Sequence, residues 1–228
     1  HIVDFLREAA IDPYVTTIQV NLYRVAKNSQ IINALINAAR NGKQVEVIVE
    51  LAARFDEKQN LKVANMLQDA GAIVRIGISN LKVHCKIILV TRRKGGRVQR
   101  FGHVGTGNFH ERNAGIYEDL SLLTANSKIT GELAKLFDFF ENSFERKVYR
   151  HLFVSPFSTR RRFVKLIDDE IRRAERGEEA WMDLKLNNIV DAGMIEKLYH
   201  ASQAGVKIRM VVRGICALRA GVPGLSEN

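Results

Sequence analysis

The sequence predicts an α/β fold, a mixed sheet flanked by helices, present as one complete copy followed by a truncated second copy. Three observations carry that expectation. Short alternating or β-branched runs are separated by longer runs with helical spacing, the pattern of strand–helix–strand units. Asn, Ser or Asp stand where the helical runs begin, and glycine where they end. An early stretch, 18-IQVNLYRVAKNSQIINALINAARNGKQVEVIVE-50, is matched by a later one, 182-MDLKLNNIVDAGMIEKLYHASQAGVKIRMVVR-213.

The elements follow in order. Ile2, Val3, Phe5, Leu6 and Ala9 form an amphipathic helical pattern, and Thr16 to Asn21 alternates as a strand. Asn28 and Ser29 are capping residues for a helix whose apolar face is Ile31, Ile32, Leu35, Ala38 and Ala39. Gly42 supplies a C-terminal residue free to take positive φ, and 45-VEVIVE-50 is the next strand. A helix over 57–72, a strand over 73–77 and the aliphatic strand 81-LKVHCKIILV-90 come next. After the basic hairpin 92-RRKGGRV-98 come strand 99-QRFGHV-104, the loop 105-GTGNFHE-111, strand 117-YEDLSLL-123 and a helix over 128–145. In the later stretch, Met182 to Leu186 is a strand, Asp191 caps a helix carrying Ile195, Leu198 and Ala201, Gly205 ends it, and 208-IRMVV-212 is the partner strand. Aligning Gly42 with Gly205 brings Val47 onto Met210 and Val49 onto Val212, and the shared lengths point to duplication. The expected division is 1–150 for the complete copy and 151–228 for the start of the second. The chain opens on His1 within a helical pattern and ends in GVPGLSEN, so both ends read as cut from something longer. A counterpart of His84 is expected roughly 20 residues beyond Asn228.

Composition narrows the partners. The hydrophobic content of 46% is that of a globular protein. No apolar run approaches the roughly 18 residues that span a bilayer, and no signal peptide is visible. Cys85 and Cys216 give neither a disulfide framework nor metal-ligand spacing, which suits a reducing, cytoplasmic setting. The formal net charge of +10 calls for an anionic partner: nucleic acid, a phosphorylated substrate or an acidic membrane. Apart from 160-RRR-162 with Arg172, Arg173 and Arg176, the surplus is dispersed. It lacks the aromatic interleaving of a single-strand binder, so no specific nucleic acid is expected.

The candidate chemistry lies at strand exits, which meet in one place in a βαβ-type sheet. Arg24 follows the first strand and Arg54 the second. Their planar forks suit phosphate oxygens, although Asp56 or Glu57 would equally serve Arg54 as an ion-pair partner. Gly105, Gly107 and Asn108 form a possible supporting loop whose N–H groups can turn toward an anion; a plain turn fits as well. His84 and Lys86, two positions apart, would share one face of a strand with Val83, Cys85 and Ile87 on the other. Burying an ammonium beside an imidazole is costly unless an anion compensates it, and phosphate would. A histidine with pKa near 6.5 offers a neutral nucleophile near neutral pH, with Lys86 to hold transferring oxygens. His103 and His110 flank the loop and His200 reads as surface. Tyr117 either stacks on a base or caps the core. Glu118 and Asp119 lack the companions a metal cage needs.

The runs NLYRVAKNSQII, VELAARFDE, LKVHCKIILV, GHVGTGNFHERNAGIYEDLSLLTA, LKLNNIVD and VVRGICAL resemble the carboxyl-terminal half of bacterial polyphosphate kinase. The resemblance implies two phospholipase-D-like domains, the first carrying the phosphohistidine. It implies reversible transfer of the terminal phosphate of ATP to inorganic polyphosphate through that intermediate. His84 matches the phosphorylated histidine. Arg24 and Arg54 match the phosphate and magnesium end of the site, where Mg²⁺ is expected without a direct side-chain ligand. Tyr117 and Arg213 match nucleotide-contacting positions. A cytoplasmic homo-oligomer is implied for the full-length protein, and little or no turnover is expected of residues 1–228 alone. The phospholipase D motif HxKxxxxD is broken, since its aspartate position is Thr91. That departure disfavours the alternative of a phosphodiesterase or nuclease. A non-catalytic polyanion-binding module is the third reading.

Overall fold

The computed structural model describes residues 1–50, 57–78, 80–145 and 147–228. The chain divides into two compact units, His1–Leu152 and Phe153–Asn228. In the first, the elements are α1 (Ile2–Ile11), β1 (Val15–Leu22), α2 (Gln30–Arg40), β2 (Gln44–Val49), α3 (Glu57–Asp69), β3 (Ile73–Ile76), β4 (Lys86–Lys94), β5 (Arg97–Gly105), α4 (Glu111–Ala114), β6 (Ser121–Thr124) and α5 (Ser127–Glu141). Among the described residues the sheet has six strands in the order β3-β2-β1-β4-β5-β6. β1, β2 and β3 are parallel, whereas β4, β5 and β6 are antiparallel to their neighbours. This is the expected mixed sheet.

Helices cover both faces. Leu6 of α1, Leu35 and Ala38 of α2 and Leu67 of α3 join Ile18, Val20, Val47 and Ile88 in one buried cluster. On the other face Gly102 pairs with Leu89. A Cβ at Gly102 would run into Leu133 of α5, so α5 lies against the Leu89 side. The local reasons are those the sequence offers. Ser29 caps α2 by accepting from the N–H groups of Ile31 and Ile32, and Gly42 follows it at φ 79°. A longer-range contact reinforces that start: Glu111 Oε1 accepts from Ser29 Oγ (2.8 Å) and from the Gln30 N–H (2.7 Å). At the far end, Glu132 of α5, buried, gathers the N–H groups of Arg150, His151 and Leu152 and the His151 ring.

The second unit holds α6 (Thr159–Glu175), β7 (Trp181–Leu186), α7 (Ala192–Gln203) and β8 (Lys207–Val212). β7 and β8 are parallel, with Leu184 opposite Met210 as Val20 is opposite Val47. Asp191 caps α7 through the Met194 N–H, and Gly205 follows it at φ 95°. The repeat also extends one element further back than the sequence reading took it. α6 precedes β7 as α1 precedes β1, and Ile167 and Ile171 bury its apolar side against Ile195, Leu198 and Ala201.

Two sequence expectations are corrected. The run 81–90 is not one strand: β4 starts at Lys86, and His84 lies in the segment leading into it. The strand expected over 117–123 is shorter and later, Ser121–Thr124, which leaves Tyr117 and Asp119 in the preceding loop.

Candidate functional site

β1 and β4 run antiparallel with Val20 opposite Ile88, so the carboxyl end of β1 lies beside the amino end of β4. That arrangement brings Tyr23 and Arg24 to His84 and Lys86. The Tyr23 ring meets the imidazole edge-on, with centroids 4.5 Å apart. Lys86 Nζ lies 3.1 Å from His84 Nδ1 and also donates to the His84 carbonyl. Three cations surround the same tyrosine: Lys86 Nζ at 4.9 Å from the ring centroid, Lys82 Nζ at 5.5 Å and the Arg24 guanidinium at 5.9 Å. Tyr23 is 8% exposed and Lys86 4% exposed, while His84 is open to solvent.

These surroundings set the protonation states. Loss of water on its covered side lowers the His84 pKa below the ordinary 6.5, and the charges of Lys86, Lys82 and Arg24 lower it further. Burial pulls Lys86 down from 10.5 to about 8, Cys85 and Asp119 oppose that, and Arg24 adds to it. The Cys85 thiol is pushed up to about 12 by burial, which makes it inert near neutral pH.

The glycine loop joins from β5, where Lys86 pairs with Gly105. A Cβ at Gly105 would lie 2.7 Å from the His103 ring, and one at Gly107 would collide with the Asp119 carboxylate. Asp119 Oδ1 accepts from Thr106 Oγ1 (2.8 Å), and Thr106 Oγ1 accepts from the Leu120 N–H (3.0 Å). The loop is thus tied to the segment before β6. Asn108 Oδ1 is buried with no hydrogen-bond partner among the described residues, an acceptor still available inside the loop. His103, 2% exposed and held by burial at a pKa of about 4, contacts Ser121 Oγ at 3.1 Å and is a core residue. His110 caps α4 by accepting from the Asn113 N–H, and His200 is exposed on α7.

Arg24, His84, Lys86 and the 105–108 loop therefore come together. Tyr117 is 48% exposed on the loop that leads to Asp119. Arg213 follows β8 in the second unit and donates to Asn187 Oδ1 at 2.7 Å. Arg54 lies outside the described residues. Sequence reasoning passed over Tyr23, whose signal was an aromatic placed at a strand exit beside Arg24. It weighed Asp119 only as a metal ligand. Among the described residues no group of three His, Cys, Asp or Glu side chains could hold a metal ion. The donors around His84 are cationic and do not suit Mg²⁺.

The mixed sheet, with its cluster of cations around an open imidazole, defines an α/β protein of the phospholipase-D-like class. Two family models match in succession: polyphosphate kinase C-terminal domain 1 over residues 1–146 and polyphosphate kinase C-terminal domain 2 over 152–228. The chain belongs to the polyphosphate kinase family. It is 48% identical over its whole length to a polyphosphate kinase of Vibrio cholerae, of which it covers 32%. It is 45% identical to that of Escherichia coli K12, of which it covers 33%. The crystal structure of polyphosphate kinase from Porphyromonas gingivalis matches 99% of the chain and 38% of its own, at 40% identity and a TM-score of 0.88. The chain spans about a third of the length of the curated relatives it matches.

Proposed function

We propose that this chain supplies the phosphohistidine-bearing part of an enzyme that moves the terminal phosphate of ATP reversibly onto inorganic polyphosphate. The observation that carries the proposal is the His84–Lys86 pair, an open imidazole next to a buried ammonium within a ring of cations. A neutral imidazole offers a nitrogen lone pair, and the depressed pKa of His84 keeps it neutral near physiological pH. That lone pair forms the nitrogen–phosphorus bond as the bond from the γ-phosphorus to the bridging oxygen breaks, and ADP leaves with the electron pair. A terminal oxygen of polyphosphate then takes the phosphoryl group from His84. Lys86 and Arg24 offset the charge on the transferring oxygens, with Arg54 assigned the same role by its place in the sequence. Tyr117 and Arg213 are the nucleotide contacts of this reading. Mg²⁺ would be held by the nucleotide phosphates beside Arg24 and Arg54, with no protein carboxylate assigned to it, and would supply charge neutralisation there. The setting is cytoplasmic and the full-length protein a homo-oligomer. Residues 1–228 alone turn over little.

Incubation of the full-length protein with ATP labelled on the γ-phosphate tests this. Acid-labile, alkali-stable label that disappears in His84→Ala is the expected result. Label that persists in that variant overturns the role given to His84.

A further inference from the structure

We propose that Glu50 and Asn60 are a buried positioning pair that fixes where His84 stands without touching substrate. The proposal rests on His84 being the phosphoryl acceptor. Glu50 is the residue after β2 and Asn60 lies on α3; they are 5% and 2% exposed. Glu50 Oε2 accepts from the Val83 N–H at 2.8 Å, one residue before His84. Asn60 Nδ2 donates to two carbonyls, those of Glu50 and Tyr23, each at 2.9 Å. The Glu50 N–H donates in turn to the Leu22 carbonyl at 3.0 Å. Two side chains thereby join the exits of β1 and β2 to the segment that carries the histidine.

Residues 82–85 lie outside any strand, so the buried Val83 takes its N–H partner from a side chain instead of a sheet ladder. A buried carboxylate is costly unless it is hydrogen-bonded, and the bond from the Val83 N–H is one that Glu50 makes. Its return is placement: Val83 precedes the imidazole and Tyr23 packs on its edge. If the pair served stability alone, its loss would lower the unfolding midpoint and leave the chemistry of the folded molecules unchanged. A positioning pair acts on the rate of phosphoryl transfer, because misplacing a nucleophile by about 1 Å can cost on the order of a hundredfold.

The test is single-turnover labelling of the full-length protein from γ-labelled ATP. Glu50→Ala should slow the step by about tenfold or more while the half-saturating ATP concentration moves by less than about twofold. Glu50→Gln, whose amide oxygen can still accept from Val83, should stay within about threefold of the parent. Hydrogen exchange of the Val83 amide should quicken in Glu50→Ala and not in Glu50→Gln. Asn60→Ala keeps the carboxylate, is expected to show the same rate loss, and carries the test if Glu50→Ala does not fold. A parental rate in Glu50→Ala or Asn60→Ala overturns the proposal, as does an equal loss in Glu50→Gln. His84→Ala, run alongside, separates the two ideas. Label surviving there removes the nucleophile itself. Label lost there, with a parental rate in the folded Glu50 or Asn60 variants, removes only the positioning pair.

Discussion

Replacing Lys86 by methionine keeps most of the side-chain length and removes the charge. Lys86 is 4% exposed, and burial lowers its pKa from 10.5 to about 8. The folded-state value lies below the unfolded one, so the unfolded chain binds more protons between those limits. Stability therefore rises with pH through that window. Below it, the charged lysine costs the fold up to about 3 kcal/mol relative to a neutral side chain. Lys86→Met forfeits the hydrogen bonds to His84, and a net gain of about 2 kcal/mol at neutral pH is expected. In a chain of this size that lifts Tm by about 4–8 °C. The gain should shrink as pH climbs toward 10.5, because the parent sheds its proton on the way. Urea unfolding of both proteins at neutral and at alkaline pH reads this directly. The same variant should incorporate little phosphate at His84. A variant no more stable than the parent at neutral pH, or a gain indifferent to pH, refutes the buried-charge account of this site.

The rate of His84 labelling should trace a plateau in pH. It climbs below 6.5 as the imidazole loses its proton, and falls above about 8 as Lys86 loses its own; stopped-time labelling across the range checks both limbs. Gly107→Ala forces its new methyl group into the Asp119 carboxylate. It should break the Thr106–Asp119 hydrogen bond and slow labelling by about tenfold, with a loss of about 1–3 kcal/mol in urea unfolding. Glu132 feels burial, which favours the neutral acid. The Leu152 and Arg150 N–H groups and His151 outweigh it and hold the carboxyl at about 2. Its contribution is complete above the unfolded value of 4.5 and is lost as pH falls through about 2. Glu132→Ala should cost about 3 kcal/mol at neutral pH and much less in acid, measured by urea unfolding at both.

The parts of the fold legible in the sequence are those written in local chemistry. Ser29 and Asp191 cap helices because their side chains reach N–H groups two or three residues on. Gly42 and Gly205 end them because each takes a φ that other residues resist. The duplication was visible for the same reason. α6 is obscured in the sequence by its charge: Arg160–Arg162 and Arg172–Arg173 leave Ile167 and Ile171, one helical turn apart, as its buried apolar positions. The start of β4 was misplaced by a distant cause. An aliphatic run reads as continuous strand until Glu50, far away in sequence, claims the Val83 N–H. Of the site, the sequence marked Arg24, His84, Lys86 and the glycine loop as residues with phosphate chemistry. It could not show that Lys86 would be nearly sealed from water or that Tyr23 would lean on the imidazole. Those facts depend on β1 lying antiparallel to β4.

That antiparallel junction has a consequence for a chain still being made. Tyr23 and Arg24 are synthesised long before His84, and Asp119 well after it, so a polypeptide that has not yet closed β4 onto β1 carries an ordinary imidazole flanked by hydrated lysines. What closure adds is the set of cations drawn in beside that imidazole, since an ordinary imidazole is already largely neutral near neutral pH. If His84 is the phosphoryl acceptor proposed above, a half-folded molecule holds the nucleophile without the charges that would receive its phosphate.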